Sequence, residues 1–105
     1  MIITTTDAIE GRKIEKVFGL VKGNTVRARW LGKDIRAKLR AVVGGEMKYY
    51  TELLNSARDE AIGRMTKEAE KLGANAITGM RITTSEIMSG TAEILAYGTA
   101  VRVKG

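Results

Sequence analysis

The side chains of this 105-residue sequence that could do chemistry are mainly oxygen donors and amines, because the chain contains no His and no Cys. Their absence removes the commonest catalytic base, the thiolate nucleophile and the ligands that zinc, copper and nickel prefer. The phosphate-binding and nucleophile motifs GxxxxGK[ST], GxGxxG and GxSxG are also absent from the sequence. We therefore assign no catalytic residue and expect a protein that is not an enzyme.

The best set of oxygen ligands would bring the Thr-rich start of the chain together with hydroxyls and carboxylates near residues 83–93. Such oxygens suit hard ions such as magnesium or calcium. Glu86 and Glu93 could also act as an acid and a base, which keeps a carboxylate-based metal-dependent enzyme open as an alternative. The favoured interpretation is that the hydroxyls cap turns and the carboxylates are solvated, so we assign no metal site. The residues concerned are Asp7, Thr83, Thr84, Ser85, Glu86 and Glu93.

Positive charge is concentrated in one stretch, residues 22–40. It holds seven basic side chains and one acidic residue, Asp34, whereas the rest of the chain has eleven of each sign. The net charge of +6 therefore lies entirely in this stretch, which is typical of an anion-binding patch. The favoured interpretation, as for the hydroxyls, is nevertheless a solvated face, or one paired with Glu52, Asp59, Glu60 or Glu68 of the long helix or of a neighbouring copy. The residues assigned to anion binding are Arg27, Arg29, Lys33, Arg36 and Arg40.

Phosphate-bearing ligands or RNA are the partners that such a patch would take. Trp30 is the only aromatic residue inside the stretch, so a platform for stacking bases is not indicated. Any nucleic-acid contact would be with the backbone, and nucleic acid is possible but not the favoured partner.

Two helices must position these side chains. Apolar residues at helical spacing predict a short helix over residues 31–43, which Gly44 and Gly45 end. A longer pattern, recurring every three or four residues, predicts one amphipathic helix over residues 46–72. Gly73 stands where a left-handed C-terminal cap belongs.

The remaining chain reads as strands. Alternation over residues 12–22 predicts a strand that ends in a turn at Gly23 and Asn24, and residues 25–28 could return as another strand. Residues 76–84 and 92–103 predict a hairpin joined by residues 85–91. We expect one α+β domain over residues 1–105, with an antiparallel sheet packed against the long helix and the short helix preceding it.

Two features indicate that one copy of the chain is incomplete. The long helix would measure about 40 Å, whereas a compact chain of this length is about 33 Å across. The last strand is also apolar or small on both faces, although a two-layer domain covers only one face. We expect the face with Ala96 and Ala100 to be a subunit interface. The alternative is that a helix bent near Gly63 and the N-terminal strand complete the core.

Four stretches of the sequence resemble the YbjQ-like family of small uncharacterised proteins, which are sometimes labelled heavy-metal-binding. The resemblance covers essentially the whole chain. It implies an α+β fold, a ring-shaped homopentamer and no established activity, and residues 27–38 are its least typical part. The stretches are residues 4–7 (TTTD), 42–46 (VVGGE), 72–76 (LGANA), and 84–88 (TSEIM) leading to 92–101 (AEILAYGTAV).

No apolar run is long enough to cross a bilayer, and the first residues lack the features of a signal peptide, so we expect a soluble cytoplasmic protein without membrane contact. The leading hypothesis is a non-enzymatic homo-oligomer, expected to be a pentamer, that binds a small ligand or a protein partner at its interfaces. No cofactor is predicted. One alternative is a basic ring, in which symmetry repeats the anion-binding patch so that it binds phosphate-bearing ligands or RNA. The other is the carboxylate-based metal-dependent enzyme described above.

Overall fold

A computed structural model describes residues 1–28, 48–88 and 91–105 of the chain. The predicted short helix over residues 31–43 and its end at Gly44 and Gly45 lie outside the described residues. The prediction of the long helix is confirmed from Lys48 onwards.

Four strands form one mixed sheet. They are β1 (Ile2–Ile3), β2 (Ile14–Ala28), β3 (Ala76–Met88) and β4 (Thr91–Val103), in the order β1-β3-β4-β2. The predicted hairpin of β3 and β4 is confirmed, but the connection predicted over residues 85–91 is wrong, because β3 continues to Met88 and β4 begins at Thr91. β4 also pairs antiparallel with β2. The sheet is not purely antiparallel as predicted, because β1 joins β3 in parallel at its edge.

The predicted turn at Gly23 and Asn24 is wrong, because β2 runs through both residues without a break. Gly23 is needed for close packing instead. A Cβ atom at this position would lie 2.3 Å from the carbonyl oxygen of Ala61 and 2.3 Å from the backbone nitrogen of Met65. The strand therefore touches the helix backbone here, and the neighbouring Thr25 hydroxyl donates a hydrogen bond to the carbonyl of Ala57 at 3.1 Å.

The helix α1 (Lys48–Leu72) covers one face of β2 and β4. It is continuous through Gly63, and its buried stripe consists of Ala57, Ala61, Met65 and Ala69.

The C-terminus of α1 is capped as the sequence predicts. Gly73 has a φ of 89°. Its N–H bonds to the carbonyl of Glu70 at 3.0 Å, and the N–H of Ala74 bonds to the carbonyl of Ala69 at 3.1 Å. These two bonds define a Schellman motif, which satisfies carbonyls that the end of a helix otherwise leaves free.

The two faces of β4 are the reverse of the predicted assignment. Ala96 and Ala100 are fully buried beneath α1 in the main core, so they do not form an outer interface. Small side chains are needed on this face because the helix approaches the sheet closely at Gly23. The opposite face of β4 carries Leu95 and Tyr97, which are only partly buried.

The N-terminal segment covers one end of that opposite face. Ala76, Val101 and Val103 form a second buried cluster, against which Ile2, Ile9 and Ile14 pack. We considered the alternative that the N-terminal strand helps to complete the core. That alternative is correct at this end of the sheet. Beyond it, no described element lies over the face. Among the described residues, no helix is long and apolar enough to span a membrane.

Candidate functional site

The carboxylates proposed as an acid and base pair lie on opposite faces of the hairpin. Glu86 is opposite Ala92, which is buried beneath α1, whereas Glu93 is opposite Ser85 on the other face. Glu93 accepts a hydrogen bond of 3.2 Å from the side-chain amide of Asn24. Because successive side chains of a strand point to opposite sides of the sheet, these two carboxylates cannot act on one substrate within a single copy.

The Thr-rich start does not join those carboxylates. Asp7 lies beside Gly79, with its Oδ1 atom 4.0 Å from where a Cβ of Gly79 would be. Glu86 is seven residues further along β3, a distance of about 23 Å in an extended strand. The hydroxyls near Asp7 are used within a turn, since Thr6 donates to the carbonyl of Ala8 at 2.6 Å and lies 2.7 Å from the Thr4 hydroxyl.

A metal site does not form from the acidic residues that the structure describes. Within residues 1–28, 48–88 and 91–105, no three Asp or Glu side chains come together in a way that could hold an ion. The favoured interpretation of the hydroxyls is supported at Thr4 and Thr6, which shape a turn.

Of the five residues assigned to anion binding, Arg27 lies in the described part and Arg29, Lys33, Arg36 and Arg40 lie outside it. Arg27 faces α1, where its guanidinium forms an ion pair with Glu60. For Arg27, the structure therefore shows the interpretation in which a basic side chain pairs with an acidic residue of the long helix. Anion binding by the stretch stays a prediction.

Glu60 is the centre of a small charged cluster on α1. It accepts hydrogen bonds from Arg27 and, at 2.6 Å, from Arg64, whose guanidinium also donates to the backbone carbonyl of Asn24 at 2.5 Å. The hydrogen bond from Arg27 lowers the pKa of Glu60 below its ordinary value of 4.5; partial burial opposes the shift, and the charges of both arginines add to it. The cluster ties β2 to the helix.

Glu60→Gln should lower the melting temperature at neutral pH and leave it nearly unchanged in acid. A carboxylate with a depressed pKa stabilises the fold above its unfolded pKa, and this stabilisation is lost as the pH falls through the folded value. The difference from the wild type should therefore shrink below about pH 4.5. Thermal melts followed by circular dichroism between pH 3 and 7 would measure it.

Glu70→Gln is the matched control, because Glu70 is an exposed residue of the same helix with no ion pair recorded in the described part of the chain. It should change the melting temperature little at any pH. An equal effect of both substitutions would show that the Glu60 cluster does not stabilise the fold.

An open groove of about 650 Å³ runs between β2 and the last turns of α1. Its lining combines apolar residues with two lysines and one glutamate. Lys71 is 3.0 Å from Glu68, whereas no described carboxylate pairs with Lys22. We call this the edge groove; its lining residues are Leu20, Val21, Lys22, Asn24, Glu68, Lys71 and Leu72.

The open face of the sheet is the side that α1 does not cover. Leu95 and Tyr97 of β4 lie at its centre, beside Asn24 and Lys22 of β2. Val26 of β2, with 50% of its surface exposed, and Leu20, with 69%, add further apolar area. The sequence indicated that both faces of β4 are apolar. It did not reveal that β2 adds apolar side chains to the open face, because the alternation of β2 continues past Gly23.

Comparison with known proteins identifies the family. Residues 1–104 match the YbjQ family model, which is described as "Putative heavy-metal-binding". The chain belongs to this family, as the resemblance predicted.

Two relatives with high sequence identity are named UPF0145 proteins. The chain is 56% identical over 104 residues to a UPF0145 protein of Archaeoglobus fulgidus, covering 99% of this chain and 96% of the relative. It is 54% identical to a UPF0145 protein of Thermotoga maritima, covering 99% and 98%.

A solved structure shares the fold. A Pediococcus pentosaceus protein of unknown function, assigned to the DUF74 family, superposes with a TM-score of 0.68 at 19% identity and covers 99% of this chain and 98% of its own.

The donors of this chain do not fit the heavy metal in the family description. It has neither thiolate nor imidazole, and its described carboxylates do not converge in one copy. Carboxylates alone favour hard ions. The chemistry of the donor set therefore disagrees with the description.

Calorimetric titration of the metal-free protein with zinc, copper or nickel should show no submicromolar site, because a carboxylate-only set of ligands holds these ions weakly unless several converge. A symmetry axis could still gather copies of Glu86 or Glu93 from several subunits. A saturable submicromolar site that Glu86→Gln or Glu93→Gln abolishes would overturn the prediction. Thr83→Ser, which leaves every carboxylate in place, is the control.

Proposed function

We propose that this chain works as a non-enzymatic homo-oligomeric module, a ring that binds a small ligand or a partner protein at its subunit interfaces. The expected number of five copies comes from the family resemblance. The observation that carries the proposal is the open face, where partly buried Leu95 and Tyr97 and exposed Leu20 and Val26 have no described layer over them. A sheet face that carries several large apolar side chains and has no described layer over it favours an interaction site.

The dimensions of the molecule support an incomplete subunit. Its Cα atoms span 52 × 26 × 15 Å, with a radius of gyration of 17.0 Å. A compact chain of this length has a radius of gyration of about 13 Å. A thin and elongated two-layer subunit leaves much of its surface to be buried by neighbours, which favours an assembly.

A non-enzymatic role is supported by the placement of the acidic residues. Glu86 and Glu93 lie on opposite faces, and the sequence offers no His or Cys to replace them. This placement favours a role in binding a ligand or partner over a role in catalysis. The edge groove and the open face are both wide, partly apolar surfaces that suit binding.

Sedimentation velocity at micromolar concentration tests the assembly. A pentamer would have five times the chain mass of 11.4 kDa, or 57 kDa. Leu95→Lys should dissociate the ring while each subunit stays folded, because the charge is unfavourable only when a neighbour covers the face. Ser56→Lys, at an exposed position of α1, is the control and should leave the assembly intact. A wild-type protein that sediments as a monomer would refute the proposal.

A basic ring that binds phosphate-bearing ligands or RNA is the second candidate. It is favoured by Lys22, which is exposed and without an ion pair in the described part of the chain, at the start of the basic stretch. Retention on a polyanion column should then fall with salt and be lost when Lys33, Arg36 and Arg40 are changed to Glu. Retention unaffected by those changes would exclude this candidate.

A further inference from the structure

We infer that Lys22 and Arg81 hold the phosphate group of a small phosphomonoester over Tyr97, at the centre of the open face. This inference deepens the proposed module, on which its position at a subunit interface rests, because it names the class of the small ligand. Lys22 of β2 and Arg81 of β3 are both opposite Tyr97 of β4, so the three side chains form one row across the open face. We call these three residues the open-face row.

A β-bulge places Arg81 in this row. Thr78 is opposite Thr99. Two residues earlier on β4, Tyr97 is opposite Arg81, so β3 has one extra residue between the two pairs. With an unbroken register, Met80 would be opposite Tyr97 instead. Bulges re-aim side chains and are common beside functional sites, and this one brings a guanidinium to the open face in place of a thioether.

Arg81 is held in position without a counter-ion. Its Nη1 atom donates hydrogen bonds to the carbonyls of Thr5 at 3.0 Å and Met80 at 2.8 Å. Both acceptors are neutral. Asp7 lies nearby, beside Gly79, but within the described ranges no carboxylate forms an ion pair with Arg81. A guanidinium fixed by carbonyls keeps its charge available for an oxyanion, which is the partner that Arg binds best.

Lys22 gives the row a second positive charge that is likewise unpaired in the described part of the chain. Glu93 is on the same face, but it lies four residues from Tyr97, about 13 Å along the strand, and accepts a hydrogen bond from Asn24 at 3.2 Å. Two strand spacings, about 10 Å, separate the backbones of Lys22 and Arg81. Both long side chains can therefore reach one oxyanion centred over β4, where the Tyr97 hydroxyl offers a further donor.

Charge matching favours a phosphomonoester as this oxyanion. The row carries two positive charges, and a phosphomonoester carries about −1.5 to −2 at pH 7, whereas a carboxylate or a phosphodiester carries a single charge. If a neighbouring copy covers the open face, as proposed, two cations without a counter-ion are costly to remove from water. A dianion bound between them offsets this cost.

The surroundings of the row leave room for the rest of such a ligand. Leu95 and the exposed Leu20 lie on the same face, next to the row, and offer an apolar surface. The edge groove shares Leu20, Lys22 and Asn24 with the open face, so it begins where the phosphate is placed. The ester group can therefore lie along the sheet or enter the groove.

Isothermal titration calorimetry of the whole chain with phenyl phosphate at low salt tests the site. One saturable site per chain is expected. Lys22→Gln and Arg81→Gln should each weaken binding at least about tenfold, because each removes a charge-assisted hydrogen bond. Lys67→Gln is the control: it removes the same charge from an exposed position of α1 and should leave the affinity unchanged. Lys22→Gln alters no recorded contact of the described chain, so this variant should stay folded.

Dimethyl phosphate tests the choice of a monoester. It carries one charge, as each phosphate of a nucleic-acid backbone does, and should bind at least about tenfold more weakly than phenyl phosphate. Equal binding of the two would overturn the assignment in favour of a nucleic-acid backbone.

The inference and the proposed module fail in different ways. A wild type that sediments as an oligomer but binds no phenyl phosphate, or binds it equally well with Lys22→Gln, would overturn the inference and leave the module standing. Binding that depends on Lys22 and Arg81 in a protein that sediments as a monomer would support the phosphate site and overturn the module, together with the position of the site at an interface.

Discussion

Gly23→Ala is expected to destabilise the protein by about 3 kcal/mol or more, the upper part of the range for overpacked cores. The added Cβ would lie 2.3 Å from two backbone atoms of α1, at Ala61 and Met65. Backbone atoms cannot rotate away as a side chain can. The helix must therefore move off the sheet along the stripe where both surfaces are made of small residues. Urea denaturation would measure the loss.

Gly63→Ala is the control for this prediction. Gly63 is an exposed residue in the middle of the same helix, and a Cβ there meets no atom within 4 Å. Ala is favoured over Gly inside a helix by about 1 kcal/mol, so this variant should be slightly more stable than the wild type. If Gly23→Ala matched the wild type in stability, the close approach of β2 to α1 would be wrong.

Ala96→Lys should prevent folding or cost at least about 3 kcal/mol, because it places an unpaired ammonium in the apolar core. Ala96 has no exposed surface and lies beneath α1. The effect should therefore appear in each subunit, independent of protein concentration. Far-ultraviolet circular dichroism and urea denaturation at several concentrations would measure it.

The neighbouring substitution separates fold from assembly. Leu95→Lys changes the next residue of the same strand, whose side chain lies on the open face, and should leave the subunit folded. If Ala96→Lys gave a folded monomer, the assignment of the two faces of β4 would be inverted, and the face with Ala96 would be the interface after all.

The sequence was sufficient for elements whose signals are local. The C-terminus of α1 follows from Gly73, because a left-handed residue at this position needs only its own backbone and the last turn of the helix. The hairpin of β3 and β4 likewise follows from two neighbouring runs of strand-forming residues. Nothing distant competes with these signals, so both elements are present as predicted, although β3 extends four residues beyond its predicted end, to Met88.

The wrong predictions concern elements whose structure is determined by contacts between residues far apart in the sequence. Gly23 followed by Asn24 is a turn signal in isolation, yet Gly23 is present because the helix backbone passes over it forty residues later in the chain. The continuing alternation of Val21, Gly23 and Thr25 on one face was the signal that could have revealed a single strand. Periodicity likewise shows that β4 has two apolar faces, but not which one the helix covers.

The candidate site was predictable only in part for the same reason. The charge of Arg27 is plain in the sequence, but its pairing with Glu60 depends on how α1 lies across β2. Similarly, the seven-residue spacing of Glu86 and Glu93 does not determine which face of the sheet each carboxylate lies on. The hairpin register places them on opposite sides, because Glu86 is opposite Ala92 and Glu93 is opposite Ser85.

The order of the strands also determines when the sheet can form during synthesis. β2 pairs with β4 from Ile14 opposite Val103 to Ala28 opposite Thr91, so a strand made early waits for the last one made. Until then Val17 and Leu20 have no sheet to join. Such pairing between distant parts of a chain folds slowly, in milliseconds to seconds. β2 therefore has no partner strand until β4 has been synthesised, and an unpaired apolar strand of this kind is prone to aggregation during that time.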